Sequence, residues 1–326
     1  MKKLLSIYVG TIALIFTLPV LIGVLHGRTA DTPEFVSDLP QDISVYFADE
    51  DVTREIDFEE YIKGVLPAEM PASFNIEALK AQAVAARTYS YHKYVKYSEN
   101  PDTVPDEHKG AVICSASVHC AAYYSPSQLE DMHGSEWMST FYPKIVAAVD
   151  ETENEILVYG DEPILAVFHA ASSGGSTESS EEVWGSILPY LVPADTAGEQ
   201  VRDNYHTTAT FSQSEFLKKL TEEYDVKIPD DKNILFSNIT KTRGGSVSTI
   251  DICGITLKGT QVRSLFGLRS ANFTVEILND EVIFKVEGFG HGVGMSQYGA
   301  NHMAENGSSY VEILENYYNG AELIRM

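Results

Sequence analysis

The order of apolar and polar residues predicts both helices and strands along the chain beyond residue 40. Four helix starts have the form of a capping box, in which a side-chain oxygen is followed three residues later by a Glu. These starts are Asp57, Ser127, Ser212 and Ser309. The pattern at Ser212 is the strongest, because Phe211 and Phe216 are spaced for a hydrophobic staple.

The longest helical pattern follows Asn75 and continues to about Tyr97, with Ile76, Leu79 and Ala83 forming an apolar stripe. Strand patterns occupy residues 44–47, 155–159, 164–168, 246–252, 273–278 and 282–286. Helices and strands alternate irregularly rather than in βαβ register. We therefore predict an α+β fold, with residues 41–326 forming a single mixed ectodomain that could be arranged as two lobes around a cleft.

The first 28 residues differ in kind from the rest. Residues 4–25 carry no charge and, as a helix, would extend about 33 Å, roughly the thickness of a bilayer core. Lys2 and Lys3 precede this stretch and favour the cytoplasmic side, so the sequence predicts a single-pass anchor with its body outside. A cleaved signal peptide is the alternative, but the run is longer than usual and no A-x-A-like site follows. Residues 29–40 are acidic and contain prolines, which is typical of a linker.

The composition limits the kinds of partner. Hydrophobic residues make up 44% and charged residues 21%, which excludes a disordered chain and a polytopic membrane protein. With 23 Lys and Arg against 47 Asp and Glu, the net charge is −24. Nonspecific nucleic-acid binding needs clustered cations, so the sequence predicts no nucleic-acid partner.

The three cysteines are an odd number for an exported protein. We interpret Cys253 as a small hydrophobic residue in a strand. His108, Cys114 and Cys120 follow one another at six-residue intervals, with His119 adjacent to the last. Imidazole and thiolate favour zinc, and three protein ligands plus water or substrate would make an open site. A disulfide between Cys114 and Cys120 is the alternative that this spacing leaves open.

Glu69 lies in an apolar turn flanked by prolines, between two predicted helices. Desolvation there would raise its pKa and suit it to general acid catalysis. A solvated loop carboxylate or a helix cap is the structural alternative. Arg87, on the long helix, is the candidate counter-ion, and that pairing would shift the pKa of Glu69 downward instead.

A second group of candidates surrounds two glycine-rich stretches. Four alternating glycines surround His291 in residues 288–294, and such a turn permits positive φ and close approach to a ligand. The simpler interpretation is a tight turn with His291 hydrogen-bonded in the core. His169 precedes Ser172 and Ser173, but the absence of a G-x-S-x-G elbow argues against a nucleophilic Ser–His pair.

Together these stretches resemble the stage II sporulation protein D family of anchored peptidoglycan lytic transglycosylases. The resemblance covers nearly the whole chain and rests on residues 59–72, 77–89, 113–123, 183–185 and 290–300. It implies that Glu69 is the catalytic acid and base. It also implies that His108, Cys114 and Cys120 hold zinc, as in a subset of relatives. Candidate substrate-binding residues are Arg87, Ser172, Ser173, His291, Gln297 and Tyr298.

The resemblance further implies cleavage of peptide-stripped glycan strands to 1,6-anhydro-N-acetylmuramic acid ends during spore engulfment. The partners would be a sporulation amidase and a polytopic sporulation membrane protein, and the location would be the outer face of the mother-cell membrane. Two other functions stay open. One is a zinc hydrolase acting as an amidase or peptidase, and the other is a wall-binding scaffold without catalysis.

Overall fold

Helices and strands are mixed throughout the computed structural model, which describes residues 39–116, 119–172, 175–199, 205–231 and 235–326. The predicted anchor, nearly all of the predicted linker, and Ser173 lie outside the described residues. Within those residues no helix is both long and apolar enough to cross a membrane. The α+β class is confirmed.

The first lobe comprises residues 39–199 and 289–326 and has its own hydrophobic core. Its helices and strands are β1 (Asp42–Phe47), β2 (Val52–Asp57), α1 (Phe58–Glu69), α2 (Ile76–Glu99), β3 (Ile113–Cys114), α3 (Pro126–Thr140), α4 (Tyr142–Asp150), β4 (Glu155–Tyr159), β5 (Glu162–Pro163), β6 (Phe168–His169), α5 (Ser180–Trp184), β13 (Met295–Ser296), α8 (Gln297–Glu305), α9 (Tyr310–Tyr317) and β14 (Glu322–Arg325). The strands form sheets in the orders β2-β1-β3, β14-β4-β5 and β13-β6.

The second lobe, residues 205–287, is inserted into the first and has a separate core. It contains β7 (His206–Ser212), α6 (Gln213–Glu223), β8 (Phe236–Lys241), β9 (Val247–Ile252), β10 (Ile255–Lys258), α7 (Gly259–Phe266), β11 (Phe273–Leu278) and β12 (Glu281–Glu287). Its sheets have the orders β10-β9-β8 and β11-β12-β7. The two ends of the insertion lie side by side, because Gly288 N donates to Tyr205 O at 2.9 Å.

Helix α2 is the central element of the first lobe. The helix begins directly after Asn75, as the sequence predicts; Asn75 caps this start by accepting from Glu77 N, and buried residues occur on every side of the helix. It packs against α1, α4, α8, α9 and β4. Because α1 ends at Glu69 and α2 begins at Ile76, the turn between them is fixed by two packed helices.

Most predicted starts are confirmed: Asp57, Ser212 and Ser309 all cap helices through their side chains. The start predicted at Ser127 is wrong by two residues. Ser125 is the cap, with Gln128 completing the capping box, because Pro126 takes the first helical position, where its missing N–H costs nothing.

Two strand predictions are wrong. Residues 164–167 form tight turns, in which Ala166 N donates to Ile164 O and Val167 N to Leu165 O, so these groups do not pair with a strand. Cys253 is buried among hydrophobic residues, as expected, but lies in the turn between β9 and β10 rather than in a strand. Cys253 and Gly254 both have positive φ, which matches the twist of a two-residue hairpin loop.

Candidate active site

A cleft of about 1020 Å³ opens beside the turn between α1 and α2. Its walls come from that turn, from residues 119–124, from β6, from the glycine-rich turn and from the start of α8. The second lobe contributes Arg263. The cleft therefore brings together stretches that are far apart in the sequence, and Glu69 lies on its surface.

Glu69 is half-buried at the C-terminal end of α1. Its Oε1 accepts from Ala122 N at 2.9 Å, and the Gln297 side chain donates a second hydrogen bond. Burial raises the pKa of Glu69 above its usual range, and the two hydrogen bonds oppose that rise by stabilising the carboxylate. Glu69 is thus held by neutral groups and has a raised pKa, the direction that suits a general acid.

Among the cleft-lining residues of the described chain, Glu69 is the only Asp or Glu. Most of the other lining residues are apolar or aromatic by type. The aromatic residues there are Tyr89, Tyr124, Phe168, Trp184, Phe289 and Tyr298. Trp184, at the end of α5, remains 42% exposed, and its ring centroid lies 5.4 Å from that of His291. An exposed indole can pack against the apolar face of a ligand such as a sugar ring.

Arg87 does not pair with Glu69. Its Nε and Nη2 donate to the two carboxylate oxygens of Glu59, at 2.8 and 2.7 Å, and its other bonds go to the carbonyls of Val149 and Glu155. Arg87 is fully buried and is absent from the residues that line the cleft. The expectation that Arg87 is the counter-ion of Glu69 is therefore wrong, and the structure gives it no route to a substrate.

His291 does lie on the cleft surface, within the glycine-rich turn. Its Nδ1 accepts from Val293 N at 3.1 Å, and the ring also bonds to the backbone of Phe168. Burial, with a contribution from Arg263, lowers the pKa of His291 to about 4, so the ring is neutral near pH 7. At Gly294, with φ +73°, a Cβ would overlap Val167 O. The glycine thus permits the parallel pairing of β13 with β6.

Gln297 and Tyr298 begin helix α8 beside Glu69. Gln297 is buried and holds the catalytic candidate through the hydrogen bond described above. Tyr298 N donates to Ala170 O, and its ring meets that of Phe74 edge-on, with centroids 5.0 Å apart. Both predicted residues therefore line the cleft, and Gln297 is the one that is hydrogen-bonded to Glu69.

Ser172 lies behind the cleft wall rather than on its surface. Its Oγ is 2.6 Å from His169 Nε2, and its backbone N donates to Glu199 Oε1 at 3.1 Å. His169 Nδ1 donates to Val293 O, which leaves Nε2 to accept from the serine hydroxyl. Ser172 is buried and does not line the cleft, so it supports the wall and its hydroxyl is not placed to attack a ligand.

The cysteine-bearing segment forms a compact cluster at the edge of the cleft. His108 Nε2 lies 2.9 Å from His119 Nδ1 and 3.2 Å from Cys120 Sγ. Cys114 Sγ lies 3.6 Å from His119 Nδ1. All four donor atoms are within 4.8 Å of one another, and both cysteines are free thiols. The disulfide alternative is therefore not the state of this structure.

This donor set fits zinc. Tetrahedral bonds of about 2.0 Å to nitrogen and about 2.3 Å to sulfur separate neighbouring ligand atoms by roughly 3.3–3.8 Å, close to the spacings found here. The sequence predicted three ligands, whereas the structure adds His119 at the fourth position. Lys93 Nζ donates to Cys120 Sγ at 3.0 Å. Hydrogen bonding from Cys114, with smaller contributions from His108 and Lys93, lowers the pKa of the Cys120 thiol. Ala122, two residues beyond Cys120, is the backbone donor to Glu69.

Sequence reasoning did not assign Trp184, His119 or Arg263 to the site. His119 could have been included because it is adjacent to Cys120, and Trp184 because an aromatic residue stands in a recognised motif. Arg263 has no comparable signal: it belongs to the inserted lobe and reaches the cleft only through the tertiary fold.

Several known proteins are similar in sequence to this chain. A family model described as "Stage II sporulation protein" matches residues 46–159. The "Stage II sporulation protein D" of Bacillus subtilis (strain 168) is 38% identical over 285 residues, which cover 87% of this chain and 79% of that protein. Its counterpart in Bacillus amyloliquefaciens is 37% identical over 289 residues, covering 88% and 80%.

A more distant relative is the "Amidase enhancer" of Bacillus subtilis (strain 168), which is 32% identical over 80% of this chain and 40% of its own length. The two sporulation proteins are matched along most of both sequences. The chain belongs to the stage II sporulation protein D family.

Proposed function

We propose that this protein is a lytic transglycosylase that cleaves the glycan strands of peptidoglycan. The observation that carries the proposal is the single carboxyl group of the cleft. Most glycosidases need two carboxyl groups, one as acid and one as base or nucleophile. Glu69 has no acidic companion among the described lining residues, so a reaction that needs one carboxyl suits this cleft.

In such a reaction protonated Glu69 gives its proton to the oxygen of the glycosidic bond, and the bond from that oxygen to the muramic acid C1 breaks. The 6-hydroxyl of the same sugar attacks C1, and its proton returns to the Glu69 carboxylate. The acid is regenerated without consuming water, and the product ends in 1,6-anhydro-N-acetylmuramic acid. The pKa of Glu69, raised by burial, supports the first transfer.

The other cleft residues suit positioning and transition-state stabilisation. Gln297 and the Ala122 N–H fix the orientation of the Glu69 carboxyl. The Trp184 ring and its aromatic neighbours offer flat apolar surfaces to a row of sugars. His291, neutral near pH 7, lines the cleft and contributes a polar edge rather than a proton.

Product analysis tests this function. The purified full chain, in detergent, is incubated with peptide-free glycan, and the products are examined by mass spectrometry. Strand ends lighter than hydrolysed ends by one water support the transglycosylase. New amine groups would instead identify a zinc amidase or peptidase, and bound but uncut glycan would identify a scaffold.

The proposal includes one zinc ion held by His108, Cys114, His119 and Cys120. A bound zinc ion would stabilise the fold by linking the segment after α2 to residues 119–120. With four protein donors available, we assign it a structural role. Metal analysis of protein prepared under reducing conditions tests the assignment. A Cys114–Cys120 disulfide without metal in the exported protein would contradict it.

We also propose that residues 4–25 anchor the protein in the mother-cell membrane with residues 41–326 outside. The support is the uncharged length of that stretch and its Lys2–Lys3 flank. On the outer face the enzyme would act with a sporulation amidase, which removes peptides, and with a polytopic sporulation membrane protein. Mature protein beginning near residue 29 in a cell extract would refute the anchor.

A further inference from the structure

Arg263 extends from helix α7 of the inserted lobe into the cleft that contains Glu69. Among the lining residues of the described chain it is the only Lys or Arg. Arg263 and His291 also line a small side pocket next to the cleft. Glu69 is the only Asp or Glu among the described residues that line the cleft, although the net charge of the protein is −24.

No ion pair within the described residues involves Arg263. Its Nε donates a long hydrogen bond, 3.4 Å, to the carbonyl of Leu268. Glu182 lines the same side pocket, but its two oxygens accept from Arg243 N and from the Ser179 hydroxyl that caps α5. A guanidinium remains charged even where burial lowers its pKa, as it does here. A half-buried charge of this kind is normally matched by an anion.

A peptide-free glycan strand offers one kind of anion that could match this cation. Each muramic acid carries a lactyl group, and in a peptide-free strand this group ends in a free carboxylate. A carboxylate matches the planar fork of a guanidinium and can accept two parallel hydrogen bonds. In a strand that still bears peptides the same carbon is an amide, which carries no charge.

We propose that Arg263 binds the lactyl carboxylate of a muramic acid residue in the cleft. This site would make the cleft select peptide-free glycan, so the inference rests on the proposed function and adds the group that reads the substrate. It also explains how a polyanionic protein can bind a polyanionic strand. The attraction is local, between the Arg263 guanidinium and one lactyl carboxylate.

The test measures binding separately from cleavage, in full-length chains that all carry Glu69→Gln. Three glycans of equal length are compared: one with free lactyl carboxylates, one whose carboxylates are converted to methylamides, and one with intact stem peptides. Without further substitution, we expect the free carboxylate to bind at least about tenfold more tightly than the methylamide.

Adding Arg263→Gln should reduce that ratio to near one, by weakening binding of the carboxylate form only. Arg263→Lys should retain an intermediate ratio, because an ammonium keeps the charge but loses the fork. Arg325→Gln is the matched control: it removes an exposed cation paired with Glu155, outside the cleft, and should leave the ratio unchanged.

A ratio that stays at the parent value in Arg263→Gln overturns the inference, as does a parent that does not distinguish the two forms. Arg263-dependent binding of the peptide-bearing strand would place the anion in the peptide and overturn it equally. If Arg263→Gln does not fold, the affinity ratio of Arg263→Lys decides. A ratio equal to that of the parent would contradict a contact through two parallel guanidinium hydrogen bonds.

Cleavage by the chain with intact Glu69 is measured in parallel. If no anhydro ends form but the affinity ratio still depends on Arg263, the proposed function is wrong and the carboxylate site remains supported. Anhydro ends with a ratio independent of Arg263 would defeat this inference alone.

Discussion

Helix α1 carries two glutamates in opposite circumstances. Glu59, in its first turn, accepts two hydrogen bonds from the fully buried Arg87. Glu69, at its last residue, accepts only from neutral donors, the backbone of Ala122 and the side chain of Gln297. One carboxylate is paired with a fixed cation, and the other has a pKa raised by burial and lies beside an open cleft.

The difference shows that two residues of the same type on one helix have different electrostatic surroundings according to the charge of their partners, and Glu69 is the one proposed to act as the acid. A cation beside Glu69 would keep it ionised and unable to donate a proton. The fold avoids this by directing Arg87 to Glu59, which also ties α2 to α1 and to the carbonyls of Val149 and Glu155. The following experiments probe the contrast.

Glu69→Gln should have the largest effect. The change keeps the side-chain volume and removes only the transferable proton, so cleavage should fall by a factor of about 100 to 10,000 while the melting temperature is maintained. Release of anhydro ends from peptide-free glycan measures the rate. Glu60→Gln, on the exposed side of the same helix, is the control and should retain the parent rate. Cleavage by Glu69→Gln at more than a few per cent of that rate would show that another group is the acid.

Arg87→Gln should act on stability instead. It leaves the Glu59 carboxylate and two carbonyls without their cation, and loss of one partner from a buried pair costs about 3–5 kcal/mol of unfolding free energy. Arg54→Gln, which breaks the exposed pair with Glu50, should cost less than about 1 kcal/mol. Urea denaturation compares the two. If Arg87→Gln folds normally but binds glycan poorly, Arg87 is a substrate ligand after all.

The metal cluster should connect both kinds of effect. Cys114→Ala or chelation should lower the melting temperature and the cleavage rate together, because the cluster holds the segment whose Ala122 N–H orients Glu69. Cys253→Ala, in the core of the inserted lobe, is the control and should leave the zinc content unchanged. Loss of cleavage with an unchanged melting temperature would assign the metal to catalysis.

Gln297→Leu should have the smallest effect and refine the account of Glu69. Because the protonated carboxyl is required, kcat/KM falls on the alkaline side as pH rises through the Glu69 pKa. Gln297 stabilises the carboxylate and lowers that pKa, so its removal should move the alkaline limb upward by about half to one pH unit. A lower plateau with an unmoved limb would mean that Gln297 contacts the substrate only.

The sequence predicted local features of this protein well because they depend on neighbouring residues. The caps at Asp57, Ser212 and Ser309 require only a side chain and the next backbone amides. Glu69 stood out because a carboxyl in an apolar turn is unusual. The α+β class followed from the irregular order of these elements.

Pairings between distant segments could not be predicted in the same way. Arg87 lies on the helix that follows α1, and Glu59 and Glu69 lie at the two ends of α1. Only the packing of these helices decides which glutamate Arg87 contacts. Residues 164–167 have an apolar pattern that fits a strand, but their backbone groups bond locally. Arg263 reaches the cleft from a lobe whose placement no local pattern encodes.

The side-by-side ends of the inserted lobe have a consequence for how this cleft can change. Tyr205 and Gly288 meet across one hydrogen bond, so the 205–287 segment leaves and rejoins the first lobe at a single point. Because these two chain ends are adjacent, joining them through a different segment costs little loop-closure entropy. Glu69, the metal cluster and the glycine-rich turn all belong to the remaining part. Exchange of this module would therefore change the wall that carries Arg263 while leaving Glu69, the proposed acid, in place.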